Sequence, residues 1–115
     1  MQPAEYLRIA NATLAAIDDA VTRLGDARDL DIEATRSGNV LSIETPGGSV
    51  IVNLQEPMQE LWIASLAGGY HFRWSGQAWC DTRDQGTLDQ RLSAAMSRVL
   101  AQPVEIALVG LQPPA

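Results

Sequence analysis

The sequence predicts an α+β fold, a two-layer α/β sandwich in which two terminal helices pack on one face of a five- to six-stranded antiparallel sheet. Three observations predict it. Helical apolar spacing covers the first 25 residues, apolar and polar residues alternate from residue 30 to about residue 80, and a second helical pattern follows Thr87. Helices at both ends of a chain can cover the same sheet face, which leaves the opposite face to solvent.

The first helical pattern begins near Pro3, which suits a first turn because its missing N–H costs nothing there. Apolar residues then recur at alternating spacings of three and four, which predicts one stripe facing a core. The stripe consists of Leu7, Ala10, Leu14, Ile17, Val21 and Leu24. Gly25 follows directly, where we expect the helix to stop.

From residue 30 the apolar residues recur at every second position, with turn residues between the runs. This pattern predicts an antiparallel meander of short strands. The residues expected to face the helices are Leu30, Ile43, Val52, Ile63 and Phe72. Pro57 ends the third run because it cannot donate to a strand ladder, and Ser75-Gly76 is the expected tip of a hairpin.

The second helix begins at Thr87, because Thr87-Leu88-Asp89-Gln90 matches a capping box. Its apolar face consists of Leu88, Leu92, Ala95, Met96 and Val99. Pro103 ends it, and we interpret the apolar run over residues 104–109 as packing back on the domain. The predicted organisation is one domain over residues 1–109 and a disordered tail over residues 110–115.

Composition excludes several classes of function. The chain has 115 residues and a net charge of −6, and all eight basic residues are arginines that form no stripe, so we expect no nucleic-acid binding. No apolar run reaches membrane-spanning length and the first residues lack a secretory pattern, so we expect a cytoplasmic protein with no membrane partner. A single cysteine excludes an intrachain disulfide and a cysteine-based zinc site.

The uncovered sheet face carries an unusual set of side chains. Alternation places five candidate partner-binding residues on it: Asn53, Gln55, Trp62, His71 and Arg73. Tryptophan and arginine are enriched at binding hot spots, and a sheet holds them rigidly. The alternative is that neighbouring side chains cover Trp62 and that it has no further role.

Acidic residues cluster at the end of the first helix and into the first strand. The candidate metal ligands are Asp18, Asp19, Asp26, Asp29, Asp31 and Glu33. Carboxylates are hard ligands that suit ferric iron, manganese or magnesium, and Asp31 and Glu33 are expected about 7 Å apart on one strand face. No spacing encloses a cation, so the alternative is a solvated acidic face, which Arg23 and Arg28 would dilute.

Conventional catalytic motifs are absent from the sequence, which has no Walker motif, no lysine and no glycine-rich dinucleotide fingerprint. The remaining candidate is a thiolate–imidazole pair of Cys80 and His71. A two-residue hairpin loop at Ser75-Gly76 would set these two residues opposite each other. A half-exposed strand cysteine is the better interpretation, and we do not expect an enzyme.

One long segment carries a family resemblance. Residues 53–65 read N-L-Q-E-P-M-Q-E-L-W-I-A-S, and residues 68–79 read G-G-Y-H-F-R-W-S-G-Q-A-W. The segment combines an Asn-x-Gln-x-Pro run, a Trp five residues after the Pro, a glycine turn, alternating aromatics and a second Trp after a tight hairpin. It resembles the signature of the frataxin family in its bacterial form, the CyaY type, and the similarity extends over about residues 5–109.

The resemblance implies a frataxin-like sandwich that binds ferrous and ferric iron at carboxylates of the first helix and first strand: Asp18, Asp19, Asp29, Asp31 and Glu33, with Asp26 nearby. Because no spacing encloses a cation, we expect this binding to be weak. It also implies docking to the cysteine desulfurase and the scaffold protein of iron–sulfur cluster assembly, with the acidic residues toward the desulfurase and the sheet face around Trp62 toward the scaffold. The expected role is to regulate, or supply iron to, cluster assembly. We expect a monomer, or an oligomer formed with iron.

One departure from the family pattern concerns the first helix, where bacterial relatives carry more acids than Thr22, Arg23, Ala27 and Arg28 provide. We therefore expect weaker iron binding than is typical of the family. Two alternatives stay open. The protein is a pure adaptor of the same machinery with negligible iron binding, or it is a ferroxidase or iron-storage protein, although no enclosed di-iron ligand set is evident.

Overall fold

The computed structural model describes residues 1–108 of the protein. In chain order its elements are α1 (Pro3–Arg28), β1 (Glu33–Ser37), β2 (Val40–Thr45), β3 (Gly48–Gln55), β4 (Glu60–Ser65), β5 (Gly68–Trp74), β6 (Trp79–Asp81) and α2 (Leu88–Leu100). The strands form one six-stranded antiparallel sheet in which each strand pairs with the next along the chain. The predicted two-layer α+β sandwich is confirmed. The predicted tail, residues 110–115, and residue 109 lie outside the described residues.

A single hydrophobic core joins both helices to one face of the sheet. The inward residues predicted for β2 to β5 are all buried: Ile43, Val52, Ile63 and Phe72. On α1, the buried surface is wider than the predicted stripe, because Tyr6, Ile9 and Thr13 are also buried. Thr13 is satisfied inside the core, since its hydroxyl accepts a hydrogen bond of 2.9 Å from Trp79 Nε1. Two apolar layers thus face each other, and the other sheet face is left to solvent.

The first helix does not stop at Gly25, as the sequence predicted, but continues to Arg28. Gly25 lies inside the helix and is buried, and a Cβ there would lie 3.1 Å from the carbonyl oxygen of Leu30. Position 25 is a glycine because the chain that leaves α1 passes close to it at Leu30 and Ile32. The sequence pattern does not reveal this contact. Asp29 provides the left-handed C-cap, with φ of 53°.

The first strand begins at Glu33, three residues later than the alternation predicted. Leu30 is only half-buried, and its N–H bonds to the carbonyl of Gly25 at 2.9 Å instead of entering a strand ladder. The expectation that Asp31 and Glu33 share one strand face is therefore wrong, because Asp31 belongs to the helix–strand connection.

The last hairpin also differs from the sequence-based expectation. Its loop spans residues 75–78, and Cys80 pairs with Arg73 rather than with His71. Ser75 stabilises the four-residue loop, since its N–H bonds to the Ala78 carbonyl at 2.9 Å and its hydroxyl accepts from the Ala78 N–H at 3.1 Å. The hypothetical Cys80–His71 dyad consequently lacks the facing register on which it depended.

The second helix begins as predicted, with a capping box. Thr87 Oγ1 accepts from the Gln90 N–H at 3.3 Å, and Gln90 Oε1 accepts from the Thr87 N–H at 3.1 Å. All five residues of the predicted apolar face are buried: Leu88, Leu92, Ala95, Met96 and Val99. The helix ends at Leu100, three residues before Pro103.

The segment after α2 packs back on the domain along one stripe of that helix. Ser97, Ser93 and Asp89 accept hydrogen bonds from the main-chain N–H groups of residues 104, 106 and 108, at 3.0, 2.9 and 3.0 Å. The acceptors are four residues apart on the helix, a rise of about 6 Å, and the donors are two residues apart in the extended segment, a rise of roughly 6.6 Å. The two spacings are close enough for all three hydrogen bonds to form. The three acceptors on α2 bond alternate N–H groups of the segment, as a neighbouring strand would. The side chains of Val104 and Ile106 are thereby held in the core.

Gly47, in the β2–β3 turn, makes the tightest backbone approach to α2. A Cβ at this position would lie 2.0 Å from the carbonyl oxygen of Val99. The backbone on both sides must shift to admit any side chain. We therefore expect Gly47→Ala to lower the free energy of unfolding by about 1–3 kcal/mol, measured by urea denaturation.

Gly69 is the matched control for this substitution, because a Cβ there meets only an ordinary contact of 3.7 Å. Gly69→Ala should stay within about 0.5 kcal/mol of the parent protein. Equal losses in the two variants would contradict the assigned contact.

Tyr6 ties α1 to the start of β4, since its buried hydroxyl donates a hydrogen bond of 2.7 Å to the main-chain carbonyl of Glu60. Burial, and secondarily the negative charges of Glu56 and Glu60, raise the pKa of Tyr6 to about 12, above its ordinary value of 10.0. A raised folded-state pKa means that the neutral phenol stabilises the fold. That contribution is complete below pH 10 and is lost as the pH rises toward 12.

We expect the free energy of unfolding to fall between pH 10 and pH 12, and to fall less steeply in Tyr6→Phe. At neutral pH the same variant should lose about 1 kcal/mol with its hydrogen bond. Denaturant unfolding at pH 7, 9 and 11 measures both effects. A Tyr6→Phe curve parallel to the parental one would refute the assignment.

Candidate functional site

Strand register places the predicted partner-binding residues on the outer sheet face in two adjacent rows. Asn53, Trp62 and His71 are directly opposite one another on β3, β4 and β5. Gln55, Glu60, Arg73 and Cys80 form the next row across β3 to β6. Both helices lie on the other face of the sheet, so neither covers this surface. The structure therefore brings all five predicted residues together; their role as a binding surface stays a prediction.

The centre of this surface is a stacked pair of rings. The Trp62 indole and the His71 imidazole lie parallel, with centroids 4.0 Å apart and an interplanar angle of 5°. The His71 side chain is 48% exposed, and Trp62 is half-buried. The pair presents a flat aromatic edge to solvent that a sheet backbone holds in place. We call Asn53, Gln55, Trp62, His71 and Arg73 the Trp62 platform.

A buried carboxylate lies beneath the platform. Glu60 is only 3% exposed, although it belongs to the outer face. Its Oε1 accepts a hydrogen bond of 2.9 Å from Trp62 Nε1, and its Oε2 accepts one of 2.8 Å from Arg73 Nε. His71 Nδ1 lies 3.8 Å from Oε1. Burial of a carboxylate is costly unless it is paired and hydrogen-bonded, and these neighbours meet that requirement.

Sequence reasoning missed Glu60. The same alternation that placed Trp62 outward also places Glu60 outward, two positions earlier in β4. A glutamate on a solvent-facing strand position normally reads as a solvated charge. In the structure its carboxylate is bonded by the Trp62 indole and by the Arg73 guanidinium, and a strand pattern predicts neither contact.

The predicted metal ligands extend from α1 to the start of β1. Three lie on the helix, one is its C-cap, one lies in the connection and one opens the strand: Asp18, Asp19, Asp26, Asp29, Asp31 and Glu33. All are exposed except Asp18, which is half-buried and accepts from the Thr22 hydroxyl at 3.4 Å. We call these six residues the acidic rim. Its members lie on α1, on the connection that follows and on the edge strand β1, whereas the Trp62 platform lies on β3 to β5.

The acidic rim contains no preformed metal cage. Over residues 1–108, no three histidine, cysteine, aspartate or glutamate side chains are grouped closely enough to hold a metal ion. The arrangement can therefore attract cations through summed charge and bind them through one or two carboxylates, with water completing the coordination. Such binding is weak and exchangeable.

Two arginines that reduce the negative charge of the acidic rim, Arg23 and Arg28, each contact another residue of the protein. Arg23 Nε lies 3.0 Å from a carboxylate oxygen of Asp19, four residues earlier on α1. Arg28 Nη1 donates to the carbonyl of Pro103 at 3.1 Å, which ties the end of α1 to the segment after α2. Both arginines are nevertheless exposed, so each positive charge weakens the local negative potential.

A pair of facing glutamates adds negative charge to the sheet next to the acidic rim. Glu33 of β1 lies directly opposite Glu44 of β2, and the Ser49 hydroxyl of β3 donates to the Glu44 carboxylate. Like charges at facing strand positions destabilise a sheet. The edge thus retains a destabilising feature that stability alone does not explain, which is the pattern expected where charge serves binding.

Acids near the negative end of the α1 dipole should cost stability. Asp26 lies in the last turn and Asp29 is the C-cap, where cations rather than anions are favourable. We expect Asp26→Asn/Asp29→Asn to raise the free energy of unfolding by about 0.5–1 kcal/mol at low salt, and less at high salt. Glu5→Gln removes a carboxylate from the first turn and should have the opposite sign. A loss of stability in the double variant would contradict this account.

Among the described residues, no helix is long and apolar enough to span a bilayer. A model of the frataxin-like domain matches residues 1–102 of the chain. The iron–sulfur cluster assembly protein CyaY of Janthinobacterium sp. (strain Marseille) is 47% identical over 106 residues, covering 90% of this chain and 95% of that protein. The protein of the same name from Paraburkholderia phymatum is 48% identical over 108 residues, covering 93% and 99%.

Solved structures share the fold. Frataxin from Psychromonas ingrahamii superposes with a TM-score of 0.78 at 24% identity, covering 91% of this chain and 97% of that one. Trimeric frataxin from the yeast Saccharomyces cerevisiae, complexed with ferrous iron, gives 0.71 at 25% identity, covering 82% and 87%. The family model spans most of the chain, and bacterial relatives approach half identity over nearly their whole length. The chain therefore belongs to the frataxin family.

Proposed function

We propose that this protein serves iron–sulfur cluster assembly in the cytoplasm as an iron-binding regulator or iron supplier. In this proposal it docks on the cysteine desulfurase and on the scaffold protein. The relatives named for iron–sulfur cluster assembly support the process, and the ferrous complex of the yeast relative supports iron as the cargo. The observation that carries the proposal is structural: strands β3 to β5 present the Trp62 platform, and different elements, α1 and the start of β1, carry the acidic rim.

The acidic rim supplies long-range attraction. The net charge of −6 and the concentration of acids along one edge favour association with a basic surface, and complementary potentials raise association rates. The desulfurase is the partner that this edge would meet. Iron would bind the same carboxylates, each ion held by one or two of them, and it would exchange rapidly with solvent.

The Trp62 platform supplies short-range specificity. A stacked indole and imidazole, with an arginine beside them, form a flat aromatic and cationic surface that a partner can cover. The side-chain amides of Asn53 and Gln55, half-buried in β3, add donors and acceptors at its margin. The scaffold is the partner that this face would meet. The proposal gives the protein no catalytic step.

Iron and desulfurase compete in this scheme because they use the same carboxylates. Each bound cation neutralises part of the charge that attracts the basic partner, so iron should weaken desulfurase binding, and desulfurase should weaken iron binding by the same factor. This reciprocity gives the machinery a way to sense iron supply.

The test is neutralisation of four rim carboxylates together. The variant replaces these residues by asparagine: Asp18, Asp19, Asp29 and Asp31. We expect about tenfold weaker desulfurase binding, because several charge–charge contacts are lost together. We also expect loss of the paramagnetic broadening that ferrous iron causes at rim amides in NMR spectra. The anaerobic iron titration and a calorimetric binding isotherm measure the two effects.

The control is Glu5→Gln/Glu105→Gln, which removes two exposed carboxylates away from the rim. It should change desulfurase affinity only slightly. Unchanged iron and desulfurase binding in the four-residue variant would sink the proposal.

The pure adaptor is the alternative that one observation favours, since residues 1–108 contain no cluster of three metal-ligating side chains. The adaptor predicts that ferrous iron broadens no rim resonance even in the parent protein, while desulfurase affinity still falls in the four-residue variant. The same two measurements therefore decide between the regulator and the adaptor.

A further inference from the structure

We propose that Glu60 is a positioning residue for the Trp62 platform, and that its buried carboxylate fixes the indole and the guanidinium in the arrangement that the scaffold meets. This inference rests on the proposed function for the identity of the partner. The positioning itself is a property of the protein alone. It can therefore be tested before any partner is added.

The carboxylate bridges two strands. Oε1 accepts from Trp62 Nε1 on the same strand at 2.9 Å, while Oε2 accepts from Arg73 Nε on β5 at 2.8 Å. Each oxygen thus orients a different side chain of the platform. The hydrogen bond to the indole sets the direction of the ring, and that direction is the one in which the ring lies parallel to His71 at 4.0 Å.

The chemistry of this position favours a carboxylate over its amide analogue. Both neighbours are donors, so the residue between them must accept on two atoms. A glutamine of almost the same shape offers one acceptor and one NH₂ group. Either Trp62 or Arg73 would then face a donor, and one side chain of the platform would lose its fixed orientation.

Glu60 is also anchored from the core side. Its main-chain carbonyl accepts the 2.7 Å hydrogen bond from the Tyr6 hydroxyl. One residue consequently links helix α1, through its backbone, to the outer face, through its side chain. The carboxylate is 3% exposed, whereas the Arg73 side chain is 65% exposed, so the acceptor is hidden and the oriented group remains available to a partner.

A pre-oriented surface binds more tightly because its side chains lose less freedom on association. An apolar residue at position 60 could fill the same space, but it could not direct an indole N–H and an arginine N–H at once. The structure thus assigns Glu60 to the geometry of the docking surface, as a residue that acts through Trp62 and Arg73.

The first experiment compares the parent protein with Glu60→Gln in the absence of any partner. We expect the Trp62 indole resonance, assigned with Trp62→Phe, to shift in the ¹⁵N–¹H spectrum, and its N–H to exchange with solvent about tenfold faster once its acceptor is weakened. Glu105→Gln, which makes the same charge change at an exposed position, should leave that resonance in place. An unchanged indole resonance in Glu60→Gln overturns the positioning role.

The second experiment measures affinity for the purified scaffold protein. Glu60→Gln should bind about three- to tenfold more weakly than the parent, as expected for loss of a pre-oriented contact. Glu60→Asp keeps the charge and shortens the reach by one methylene, and it should weaken binding in the same way. Full affinity in Glu60→Asp, or an indole shift with unchanged affinity in Glu60→Gln, overturns the claim that positioning serves docking.

The two failures are distinguishable. If the parent protein does not bind the scaffold, the proposed function fails, while the indole resonance still decides whether Glu60 positions the platform. Should Glu60→Gln fold poorly, the indole measurement on Glu60→Asp decides the same question: a parental resonance and exchange rate there count against the proposal.

Discussion

The burial of one sheet face beneath two helices is the constraint on which the rest of the molecule depends. Alternate residues of β2 to β5 enter a core shared with α1 and α2, and that core leaves no freedom for a strand to slip by one position. Every side chain between the inward ones is thereby directed to the outer sheet face. The outer face is a consequence of packing, and its composition can be selected for binding because the fold does not depend on it.

Function, in this account, is divided between two surfaces with different physics. In the proposed scheme the acidic rim would attract a partner at a distance through summed charge, and the Glu33–Glu44 pair at its end is a cost to the fold. The Trp62 platform works at contact, where a stacked ring pair and a buried carboxylate fix the geometry. In the same scheme a weakly bound cargo and a large partner would share the first surface because both respond to negative charge, whereas the second surface would discriminate by shape.

Sequence pattern predicted the elements that local physics determines. The capping box at Thr87, the alternation of the inner face and the outward direction of Trp62 follow from hydrogen-bond chemistry and side-chain period. The failures concern the way in which neighbouring segments pack against each other. Gly25 admits a crossing chain, the four-residue loop places Cys80 opposite Arg73, and Glu60 is buried by its neighbours. Residue propensity and side-chain period do not specify these contacts.

The most direct test of the central claim maps both partners onto the protein by amide chemical-shift perturbation. We expect the scaffold to perturb β3 to β5 around Asn53, Trp62 and His71, and the desulfurase to perturb the acidic rim. Neither partner should perturb the exposed side of α2. Perturbations concentrated on the helical layer, or spread evenly over both sheet faces, would contradict it.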